Sequence, residues 1–162
     1  MSANVPIVRT ASWLAVIVII FVWIIFMAIF TFLFQIDGIY IGSILFFILM
    51  VLLQRLILTS LIKGMKAIKK NDFKTALEFF NKSVDFFTQY DWVDKYRAIT
   101  LLSAAKMSYR EMSLCNMAFC YSQTNEAEKA KDLYEQILKE YPDNGIAYYS
   151  LNSINTFSNK SD

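Results

Sequence analysis

Residues 38–53 read GIYIGSILFFILMVLL, residues 60–70 read SLIKGMKAIKK, and NDFKTALEFFNKS follows at 71–83. The first piece is almost wholly apolar, the second is a basic helical pattern, and the third alternates apolar and polar positions at helical spacing. A single helix over 39–62, continuing into 63–70, is expected to cross a bilayer and then open a soluble helical domain. Everything before it reads as membrane, and everything after it as helical hairpins.

Upstream, Ala11 to Phe34 contains no charged residue. At 1.5 Å per residue, such a run covers roughly 36 Å, enough for a bilayer core with some tilt. The rival reading is a signal peptide, which requires a basic leader, a shorter apolar core and a small-residue cleavage site. Only Arg9 precedes the run, and a second apolar stretch follows at once, so a retained span is favoured. The expected organisation is an N-terminal cytoplasmic segment at 1–10, transmembrane helix 1 at 11–34, an extracytoplasmic turn at 35–38 and transmembrane helix 2 at 39–62.

So short a turn makes the two spans a hairpin. Gly38 and Gly42, with Ser43 beside them, have the small-residue spacing that lets membrane helices approach closely. A plainer reading also stands at this point: Gly38 starts a helix and Gly42 is incidental. Arg55 is expected to snorkel to the lipid boundary, since neither span supplies an acidic partner.

The flanks set orientation. Asp37 lies at the turn, whereas Arg55, Lys63, Lys66, Lys69, Lys70 and Lys74 follow the second span. By the positive-inside rule the soluble part faces the cytoplasm, at a plasma (inner) membrane. Lys63, Lys66, Lys69, Lys70 and Lys74 are also candidates for contact with anionic headgroups. Abundant Lys, Asn, Ile, Phe and Tyr suit a bacterium with an AT-rich genome.

Composition excludes much. Hydrophobic residues make up 56% of the chain, mean hydropathy is +0.39, net charge is +2, and there is no histidine. The commonest general base and zinc ligand are therefore missing. Cys115 and Cys120 point in different directions on a helix and read as small buried apolar residues in a reducing compartment, with no disulfide or metal pair. No Gly-rich phosphate loop and no nucleophile with an adjacent base is visible, so neither an enzyme nor a cofactor or metal site is expected. Residues 75–162 carry 9 basic and 12 acidic side chains, a net of −3, which argues against nucleic acid.

Residues 111–144, EMSLCNMAFCYSQTNEAEKAKDLYEQILKEYPDN, resemble one tetratricopeptide repeat across its whole length. Leu114, Met117, Ala118, Tyr121, Ala130, Tyr134, Ile137 and Pro142 take the large, small and terminating positions. Asn125 stands where the family usually has Gly and tolerates the left-handed turn. Ser108 and Glu111 form a capping box, and Pro142 stops the second helix. A partial match covers 57–90: Asn71, Phe73, Ala76, Phe80 and Ser83 fit a turn and second helix, and Gly64 fits the small position of the first. Residues 91–110 are extra, with Trp92, Tyr96, Ile99 and Leu102 at roughly helical spacing, and are expected to form a short inserted helix and then a loop. A capping helix at 145–156, with Ala147, Tyr148 and Leu151 at matching positions, precedes a polar tail at 157–162.

The fold expected is all-α: a two-helix transmembrane hairpin, tetratricopeptide-like helical hairpins and a C-terminal capping helix. The resemblance implies binding of a protein or peptide in a groove lined by first helices. Met112, Cys115, Asn116, Phe119, Ser122 and Gln123 occupy the groove positions; the rival reading packs them against the inserted segment. The basic partners of a carboxylate clamp are missing, with Leu61 and Met65 in their places. Three functions are carried forward. The leading one is a membrane-anchored adaptor or scaffold holding a protein partner at the cytoplasmic face. The second is an assembly subunit of an oligomer or larger membrane complex, held through its hairpin. The third is a lipid-responsive sensor using the lysine cluster.

Overall fold

A computed structural model describes residues 11–35 and 37–158. The N-terminal segment 1–10, Ile36 of the turn and the tail beyond Ser158 lie outside the described residues. Among the described residues the chain is all-α, with nine helices and no strand. They are α1 (Trp13–Phe34), α2 (Asp37–Ile57), α3 (Thr59–Lys69), α4 (Phe73–Gln89), α5 (Asp91–Lys95), α6 (Arg97–Thr100), α7 (Tyr109–Gln123), α8 (Ala127–Glu140) and α9 (Gly145–Ser158). These helices fall into two compact units: residues 60–89 with 107–158, and residues 11–59 with 90–106.

In the hairpin unit, α1 and α2 are each long and apolar enough to cross a bilayer. No residue of α1 is buried, and its surface is apolar all round. The hydroxyls satisfy themselves locally, Thr31 donating to the Met27 carbonyl at 2.8 Å and Ser43 to the Ile39 carbonyl at 2.8 Å, whereas the buried Trp23 indole N–H has no hydrogen-bond partner among the described residues. Such back-bonding is how hydroxyls settle on a helix without water.

The helices meet at their glycines. A Cβ on Gly38 would lie 2.1 Å from the Phe30 carbonyl oxygen, and one on Gly42 would lie 3.0 Å from the Phe30 Cβ. Phe26 and Phe46 pack edge to face beside them, with centroids 6.0 Å apart. The helix expected to run unbroken from 39 to 70 is interrupted: α2 ends at Ile57 and α3 begins at Thr59. There the Thr59 hydroxyl reaches back to the Arg55 and Leu56 carbonyls at 2.6 and 3.0 Å, a competing bond of the kind that perturbs helices.

Of the extra residues, 91–106 also belong to this unit, whereas 107–110 lie in the repeat unit, where α7 begins at Tyr109. Residues 91–106 form two short helices, α5 and α6, and a loop. Gln54 Nε2 donates to the carbonyls of Leu101 and Leu102, both at 3.2 Å. Ser12 N–H donates to the Ala104 carbonyl at 2.8 Å, and Ala11 pairs with Ala105 in an isolated bridge. Arg97 organises the loop from inside, donating to the carbonyls of Asp94 at 2.8 Å, Ala105 at 2.7 Å and Lys106 at 2.5 Å.

In the repeat unit, α4 packs on α7, α7 on α8 and α8 on α9. Small residues set the spacing. Ser83 and Ser113 are both buried and share a 2.8 Å hydrogen bond between α4 and α7. Gly64 of α3 leaves room for the buried Phe80 ring, whose nearest carbon would lie 2.6 Å from an added Cβ.

Candidate functional site

Two helical pairs repeat one local design. Gly64, Asn71, Ala76, Phe80 and Ser83 correspond, 54 residues on, to Ala118, Asn125, Ala130, Tyr134 and Ile137. All are buried except the two asparagines. Those adopt φ values of 58° and 59°, the left-handed region in which Asn is tolerated better than most residues. Asp72 caps α4 by accepting from Thr75 N–H at 3.1 Å, and hydrogen bonding from the Thr75 side chain, then from this N–H, holds its carboxyl below the usual range. In the second pair, Lys129 bonded to Glu126 lowers the Glu126 pKa and raises its own.

The start of α7 is the best-connected point of the repeat unit. Ser108 and Glu111 form the capping box, with Glu111 N–H on Ser108 Oγ at 3.1 Å and Ser108 N–H on Glu111 Oε2 at 3.3 Å. The other Glu111 oxygen accepts from Asn144 Nδ2 at 2.8 Å. Asn144 is buried, and its Oδ1 accepts the Ala147 N–H at 2.7 Å, capping α9. One carboxylate thus orders the beginnings of two helices. Beside it, Arg110 bonds Glu140 of α8, Tyr141 Oη at 3.1 Å and Thr88 Oγ1 of α4 at 2.9 Å. The Glu140 partnership raises the guanidinium pKa and lowers that of the carboxyl.

The six groove candidates are not equivalent. Cys115 packs in the core with Leu114, Ala118, Tyr134 and Ala147, and Asn144 Nδ2 lies 3.3 Å from its sulfur. Asn116 is buried and donates to the Met112 carbonyl of its own helix at 2.8 Å. Phe119 is half-buried, with its ring edge-on to Phe73 at 6.4 Å, and Met112 is half-buried too. Ser122 and Gln123 are exposed at the end of α7. A shallow open depression between α7 and α8, lined by Met117, Tyr121, Lys129, Asp132, Leu133 and Gln136, is a further surface feature.

Burial pushes both thiols up to about 12, so Cys115 and Cys120 are protonated, unreactive core residues. Lys63, Lys66, Lys69, Lys70 and Lys74 are all exposed, with the Lys63 ammonium 5.7 Å from the Phe79 ring centroid. Gly38 and Gly42 are buried, whereas Ser43 is half-buried. No group of three or more His, Cys, Asp or Glu side chains among the described residues is placed to hold a metal.

Sequence reasoning missed two features. The Glu111–Asn144 link joins residues 33 apart, and only the capping box half of it leaves a local signature. The anchoring of residues 90–106 by Gln54 and Ser12 runs through backbone carbonyls, which any residue could offer.

Residues 113–144 match the family model of the tetratricopeptide repeat. With two helices packed through Ala118, Ala130 and Tyr134, this segment is a tetratricopeptide-like repeat, a class of protein-interaction module. No curated protein and no solved structure matches the chain.

Proposed function

We propose that this protein is a membrane-anchored adaptor: α1 and α2 span the bilayer, and the repeat unit holds a protein partner at the cytoplasmic face. The observation that carries the proposal is the pairing, in one chain, of a tetratricopeptide repeat with two long helices whose outer surface is apolar. In water so large an apolar surface would aggregate; in lipid it is the solvated state. The lysines from Lys63 to Lys74 support the cytoplasmic orientation. The exposed end of α7 at Ser122 and Gln123, with Phe119 one turn behind it and Met112 near the start of the same helix, supplies the recognition surface.

The test uses the full chain in native membranes, because residues 90–106 take part of their support from the hairpin. A photo-crosslinking residue is placed at Ser122 in one variant and at the lipid-facing Ile44 in another. The adaptor reading expects a discrete protein product from Ser122, lost in Phe119→Ala, and lipid adducts only from Ile44. A discrete protein product from Ile44 and none from Ser122 would overturn it and favour an assembly subunit held through its spans.

A further inference from the structure

We propose that residues 90–100 are a membrane-interface pad, with Trp92, Tyr96 and Ile99 seated at the headgroup–acyl boundary of a phospholipid bilayer. The inference rests on the reading of α1 and α2 as spans, and adds a third contact with lipid that neither helix provides.

The first observation is polarity. On a water-exposed helix, charged side chains face out and apolar ones face in. Here that order holds only in part: Val93 is buried and Asp91 and Lys95 are exposed, but two charged groups are drawn inward while three large apolar side chains face out. Asp94 is only 5% exposed, and Arg97 turns inward to the Asp94, Ala105 and Lys106 carbonyls. Trp92, Tyr96 and Ile99, spaced i, i+4, i+7, are instead 55%, 54% and 60% exposed. The buried groups are satisfied: the Thr100 hydroxyl closes on the Val93 carbonyl at 2.7 Å. The outward face is therefore not an unpacked core.

The second observation is position within the hairpin unit. Ser12, which caps α1, bonds Ala104, and Gln54, in the last turn of α2, bonds Leu101 and Leu102. Helix α6 also packs against α1. The segment is thereby tied to the end of the hairpin at which α1 begins and α2 finishes. That is the level of the membrane–water boundary, where Trp and Tyr rings are enriched and Lys and Arg stems snorkel. Trp13, 80% exposed in the first turn of α1, and Arg55, exposed in the last turn of α2, lie at the same end. The Lys95 ammonium sits 5.7 Å from the Tyr96 ring centroid, so a cation accompanies the aromatic face. A bilayer satisfies all of these groups at once, since it is apolar below and anionic and wet above.

Depth-dependent fluorescence quenching of the full chain in phospholipid vesicles tests this. One variant keeps Trp92 alone (Trp13→Phe, Trp23→Phe). A second keeps only Trp23, midway along α1 (Trp13→Phe, Trp92→Phe). Lipids brominated near the headgroup end of the acyl chain are compared with lipids brominated near the methyl end. The expected result is a blue-shifted Trp92 emission lost chiefly to the shallow bromines, and a Trp23 emission lost chiefly to the deep ones. If Trp23 is quenched while Trp92 emits as in water and responds to neither lipid, the hairpin spans but the pad is refuted. If neither tryptophan is quenched, the spanning reading fails and takes the pad with it. An environment-sensitive dye on Ile99→Cys gives a second readout without touching a tryptophan. The native thiols are buried, so the label goes to the surface site; a dye that stays in a water-like environment in vesicles refutes the pad.

Discussion

Replacing Asn144 by alanine should release the C-terminal helix locally. Asn144 makes three contacts: Oδ1 on the Ala147 N–H at 2.7 Å, Nδ2 on Glu111 Oε1 at 2.8 Å and Nδ2 near Cys115 Sγ at 3.3 Å. Loss of an N-cap costs about 1 kcal/mol. Loss of a hydrogen bond to a charged carboxylate in a partly buried site costs about 1.5–3 kcal/mol. Together these give about 2.5–4 kcal/mol against the closed state of α9. Because Cys115 lies directly beneath, its alkylation reports that opening, measured in a Cys120→Ala background. Even a penalty of about 2 kcal/mol corresponds to an increase of about thirtyfold in labelling rate at fixed pH. Asn144→Asp sharpens the test. It keeps the capping oxygen but faces Glu111 with a second carboxylate, and its deficit should shrink as pH falls through the carboxylate range and one oxygen regains a proton. An Asn144→Ala chain whose Cys115 labels within about threefold of the parent rate would refute the reasoning, as would an Asn144→Asp deficit that ignores pH.

Other perturbations have equally definite outcomes. Gly38→Ala drives a methyl to 2.1 Å from the Phe30 carbonyl oxygen, which cannot rotate away, and should cost about 1–3 kcal/mol in an SDS titration of mixed micelles. Gly42→Ala, at 3.0 Å from a side-chain carbon, should cost less, and the reverse order would contradict the packing described. Gln54→Leu strips the donor from the Leu101 and Leu102 carbonyls; trypsin should then cut faster at Lys95 and Lys106, with hairpin stability little changed. For the thiols, folded pKa values of about 12 lie above the ordinary value of 9.0. Their contribution is therefore complete below pH 9 and is lost as pH rises toward 12, because only the unfolded chain readily gives up those protons. Denaturant midpoints should fall more steeply over that range in the parent than in a Cys115→Ala/Cys120→Ala chain, and equal slopes would disprove the assignment.

Much of the fold is legible in the residues because its causes are local. Two uncharged apolar runs dictate long helices, since nothing along them favours a turn. Asn71 and Asn125 mark the interhelical turns because the left-handed backbone suits asparagine. Ser108 and Glu111 announce a helix start, as both partners of the capping box lie within one turn. Of the candidate surface, Ser122 and Gln123 are exposed; Cys115 is buried, as its reading as a small apolar helix residue expects, and Asn116 is buried by neighbours that a repeat register cannot foresee.

Tertiary structure alone decided where residues 90–106 belong. They read as an insertion between two repeats, yet fold with the hairpin. Their anchors, Gln54 and Ser12, are 47 to 92 residues away and bind main-chain carbonyls rather than side chains. A backbone acceptor is present at every position, so no pattern of residue types records which one is used. The sequence by itself determined most of the helices, the capping box of α7 and the asparagine turns, but not the break after Ile57 or the Asn144 cap of α9. The assignment of the insertion, and the outward aim of Trp92, Tyr96 and Ile99, came from contacts that exist only once distant parts of the chain have met.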